Sequence, residues 1–139
     1  MKEINFDVVL DGIVGKDLRY PRDAYHFIRE ALDFTQKLIG KESKGKLRHV
    51  TPGELLDGIR QHALQQFGPM TVTVLAEWGI RSCHDFGEMV FTMIESGLLA
   101  KTETDSRAGF KTGYDFTEAF EKPFWPARKL KAEKKPAVK

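Results

Sequence analysis

Cys83 and His84 stand side by side where a run of helical periodicity opens. A thiol in the first turn of a helix has its pKa lowered by the helix dipole, and an adjacent imidazole can assist its attack. Asp85 and Glu88 oppose a thiolate, and no third partner completes a nucleophilic set, so the cysteine reads as incidental. Asp85-Phe86-Gly87 spells the magnesium-binding triplet of kinases without the glycine-rich loop, lysine or catalytic loop that give it meaning. The histidines at 26, 49, 62 and 84 are too scattered for a zinc pattern. Glu54 and Asp57 share a helical face, yet Glu54 sits in a capping position and Asp57 three residues before Arg60. The expectation is a protein that is not an enzyme, with no cofactor and no metal.

The elements that carry these residues are marked by their ends. Val50-Thr51-Pro52-Gly53-Glu54-Leu55 combines a capping box, a proline at the first helical position and a hydrophobic staple, and it opens a helix that Gly68-Pro69 closes. Met70 to Trp78 alternates like a strand in Thr71-Val72-Thr73-Val74. Val72, Leu75 and Trp78 nevertheless fall on one helical face before Gly79, which favours a helix. A third helix runs from the Ser82/Asp85 box to Gly97 and buries Phe86, Met89, Val90, Met93 and Ile94. Leu98 to Glu103 and Phe110 to Phe116 then read as a β-hairpin around the polar turn 104–109. Phe110, Thr112, Tyr114 and Phe116 share one face of its second strand. Two further helices precede this unit, at Ile4 to Val14 and Pro21 to Ile39, the second ended by Gly40. The predicted fold is therefore mainly α with a small β-hairpin, an α+β arrangement. Two N-terminal helices (1–40) pack on a winged-helix-like unit (51–116), within one domain spanning 1–121. A basic, largely disordered tail follows at 122–139.

From about Tyr20 to Phe120 the chain resembles a conserved hypothetical bacterial family known mainly from planctomycetes and verrucomicrobia. The resemblance is carried by Tyr20-Pro21-Arg22-Asp23-Ala24-Tyr25, Arg48-His49-Val50, Gln66-Phe67-Gly68-Pro69, Trp78-Gly79-Ile80, Asp85-Phe86-Gly87-Glu88 and Gly113-Tyr114-Asp115-Phe116. It implies a bacterial protein of unknown function and carries over no activity, substrate or site residue.

A winged helix usually reads DNA with its third helix in the major groove. Here the outward stripe of that helix is Asp85, Glu88, Thr92 and Glu95, with three acids and no base, which opposes a phosphate backbone. Phe91 flanks the stripe. Asp85, Glu88, Phe91, Thr92 and Glu95 therefore form the candidate face for a protein partner or a second copy of the chain. The alternative lies in the charge distribution. From Lys122 on, seven basic residues face the single Glu133, so that segment carries +6. The whole chain carries +2, which leaves −4 on residues 1–121. Lys44, Lys46 and Arg48 of the 41–48 loop, with Arg128, Lys129, Lys131, Lys134 and Lys135, are the candidate nucleic-acid contacts. No stretch approaches the ~20 apolar residues that span a bilayer. The start has no signal-peptide pattern, and Cys83 is the only cysteine, so the expectation is a cytoplasmic protein with no membrane contact.

Overall fold

The computed structural model describes residues 6–42, 50–99, 110 and 113–126, with Lys41 and Glu42 in backbone only. Five α-helices carry the described chain: α1 (Phe6–Lys16), α2 (Arg22–Glu42), α3 (Pro52–Phe67), α4 (Thr71–Glu77) and α5 (Cys83–Glu95). None of them is long and apolar enough to cross a membrane.

The core follows from helical periodicity. Ala24, Phe27, Ile28, Ala31 and Thr35 on α2 recur every three or four residues and are buried against Leu55, Leu56, Ile59 and Ala63 of α3. This is the most extensive helix pair of the fold. Gly58 is what lets the two helices approach. A Cβ there would overlap the Thr35 side chain, whose hydroxyl is turned back onto the Ala31 carbonyl at 2.7 Å. Leu10 and Ile13 bring α1 onto this pair, and Phe86, Met89, Val90 and Met93 bring α5.

The expected caps are formed. Thr51 and Glu54 exchange bonds of 3.1 and 3.0 Å at the start of α3. Met70 to Trp78 is helical, entered through a 3-10 turn at Gly68–Met70. α4 and α5 end in the same way: Ile80 N–H returns to the Leu75 carbonyl at 2.9 Å and Leu98 N–H to Met93 at 2.8 Å, around Gly79 (φ 79°) and Gly97 (φ 82°). Gly40, by contrast, does not end α2, which runs on to Glu42, and α1 continues to Lys16, two residues past the predicted end at Val14.

The winged-helix expectation is corrected. No strand occurs among the described residues: Phe110 is helical, 113–115 pair with nothing as a strand, and Thr117–Glu121 forms a π-helical turn. Of the first predicted strand only Leu98 and Leu99 are described, and they form a bend. The turn 104–109 lies outside the described residues. The physical reason is that the same aromatics satisfy a second spacing. Phe116 and Phe120 are one helical turn apart and their rings meet at 5.0 Å, while Phe116 also lies 5.7 Å from Phe86 of α5. The segment is a strap over the helices. Phe110 packs where Gly87 has no side chain, Gly113 crosses Cys83, and the Tyr114 hydroxyl donates to the Leu56 carbonyl of α3 at 2.8 Å.

Two glycine substitutions test this packing with opposite signs. Gly58→Ala forces α2 and α3 apart and is expected to cost about 1–3 kcal/mol. A Cβ on Gly12 of α1 meets nothing within 4 Å, so Gly12→Ala should stabilise by about 0.5–1 kcal/mol through helix propensity alone. Urea denaturation of both variants checks the pair; loss of stability in both, or in neither, contradicts the geometry.

Candidate functional site

The candidate face on α5 is built by the cap that starts the helix. Asp85 is the third helical residue, and its carboxylate accepts from the amides of Arg81 at 2.8 Å and Ser82 at 3.2 Å. Its other oxygen accepts from the hydroxyl of Tyr20 at 2.5 Å, so one side chain ties the entry of α2 to the entry of α5. Glu88, one turn on, is only 18 % exposed. It lies between the Arg19 guanidinium at 3.7 Å and the His84 imidazole at 3.8 Å. Arg19 is itself forked onto Asp17, whose carboxyl it holds below the usual range. The Thr92 hydroxyl returns to the Glu88 carbonyl at 2.9 Å. Phe91 is partly buried and meets Phe110 edge-on at 6.3 Å. Glu95 is exposed.

The five residues of the predicted partner face thus share α5, but four of them are engaged within the fold. Asp85 works as a cap and Glu88 as one side of an internal ion-pair network. The sequence pattern missed Tyr20 and Arg19, because their partners on α5 lie more than sixty positions away in the chain and no local periodicity reports them. The basic residues of the alternative reading, Lys44, Lys46, Arg48, Arg128, Lys129, Lys131, Lys134 and Lys135, lie outside the described residues.

Cys83 is buried beneath the strap. Its thiol lies 3.5 Å from the Tyr114 carbonyl, and a Cβ on Gly113 would come within 2.5 Å of the sulfur. Burial pushes the thiol up to about 11, the reverse of what a nucleophile needs. His84 faces outward toward Glu88 rather than onto the thiol. Among the described residues no group of three or more His, Cys, Asp and Glu side chains is arranged to hold a metal ion.

All three tyrosines of the chain are shifted upward by burial, Tyr25 to about 12 and Tyr20 and Tyr114 further still. Their hydroxyls differ in what they reach: Tyr20 has Asp85, Tyr114 has the Leu56 carbonyl, and the fully buried Tyr25 hydroxyl has no partner among the described residues. No protein-family model, curated protein or solved structure matches this chain.

Removing each hydroxyl measures this difference directly. Tyr20→Phe strands a capping carboxylate and should cost about 1.5–3 kcal/mol, Tyr114→Phe about 0.5–1.5, and Tyr25→Phe nothing, or a small gain. Equal costs in denaturant titrations would show that the hydroxyls are not partnered as described. The shifts also fix a pH dependence. Folding raises these pKa values, so the unfolded chain releases its protons first, and the stability tied to Cys83 and the tyrosines is complete below about pH 8.5 and declines as pH rises through 11 to 12. The urea midpoint should fall between pH 9 and pH 11, with tyrosinate absorbance appearing together with unfolding rather than before it.

Proposed function

We propose that this chain is a non-enzymatic binding protein that contacts nucleic acid through the basic segment following its helical body, with the 41–48 loop as a second point of contact. The observation that carries this reading is the separation of charge: +6 from Lys122 on, against −4 on residues 1–121. A polyanion is drawn to the first and repelled by the second, so the charge separation favours contact through the segment rather than through the body. The engagement of Asp85, Glu88, Phe91 and Thr92 within the fold leaves a protein partner on α5 little beyond Glu95, so that reading has the weaker footing.

The test is fluorescence anisotropy against generic duplex DNA and single-stranded RNA at low and physiological salt. The full-length chain is compared with a full-length variant in which Arg128, Lys129, Lys131, Lys134 and Lys135 are replaced by glutamine. The expected outcome is binding that weakens steeply with salt in the parent and is lost in the variant, because each neutralised phosphate adds about 0.7–0.9 to the salt slope. Binding of equal strength in both proteins, or in neither, removes nucleic acid as the function.

A further inference from the structure

We draw no further inference here: the strongest candidate, the outward face of α1 that carries Val8, Gly12 and Gly15 and leads to the 85 % exposed Leu18 in the turn before α2, is a solvent-exposed stripe of apolar and small residues, and nothing in the structure shows what covers it.

Discussion

The fold depends on the close approach of α2 and α3, which exists because position 58 has no side chain. With Gly58 against Thr35, the two helices pack near enough for Ala31 and Ala63, both small, to be fully buried alongside Ile28 and Ile59. Beside them is an aromatic cluster: Phe27 meets Phe67 and Trp78 at 5.6 Å each and stacks on His62 at 5.5 Å. There the imidazole is sandwiched between Phe27 and Phe34, and its buried nitrogens find no hydrogen-bond partner among the described residues, although the Glu30 carboxylate lies 3.7 Å away. A ring that packs well and bonds poorly is what a core accepts when shape is fixed by backbone proximity rather than by polar matching.

What the sequence displayed of this fold is what is decided locally. A cap needs only residues within four positions of one another, so Thr51/Glu54, Ser82/Asp85 and the glycines after α4 and α5 could be read directly, and with them the limits of α3, α4 and α5. The region after α5 is decided by distant partners. Phe110, Tyr114 and Phe116 alternate with a strand's period, yet their surroundings are Gly87, Leu56 and Phe86, residues of α3 and α5 that no inspection of the segment itself would select. An alternating aromatic pattern shows that alternate residues are buried; it does not show that a neighbouring strand buries them. The surroundings of the α5 face are likewise decided at long range. Asp85 and Glu88 do point away from the buried stripe, as helical periodicity requires, but Tyr20 and Arg19 cover that side from the α1–α2 connection.

This coverage changes what the acidic residues do. A carboxylate facing solvent contributes to a field that a partner can sense, while one that accepts three hydrogen bonds spends its charge on holding elements together. Asp85 is of the second kind. It satisfies two amides that open α5 and one phenol that opens α2, so the negative charge of the body is in part a structural device. The same accounting applies to Glu88 between Arg19 and His84.

On the proposed nucleic-acid reading, α5 offers a polyanion little, because its acidic residues carry the wrong sign for phosphate and are engaged within the fold. Charge alone discriminates poorly, because any phosphate backbone satisfies it. The residues at Lys122 to Pro126 differ in kind from those that follow: they are aromatic, held between prolines and anchored to the π-helical turn through Lys122 and Glu118. The body outside that segment carries the opposite sign, −4 on residues 1–121. On the proposed reading it repels the phosphates that the basic segment attracts, so charge of both signs would act on the same ligand.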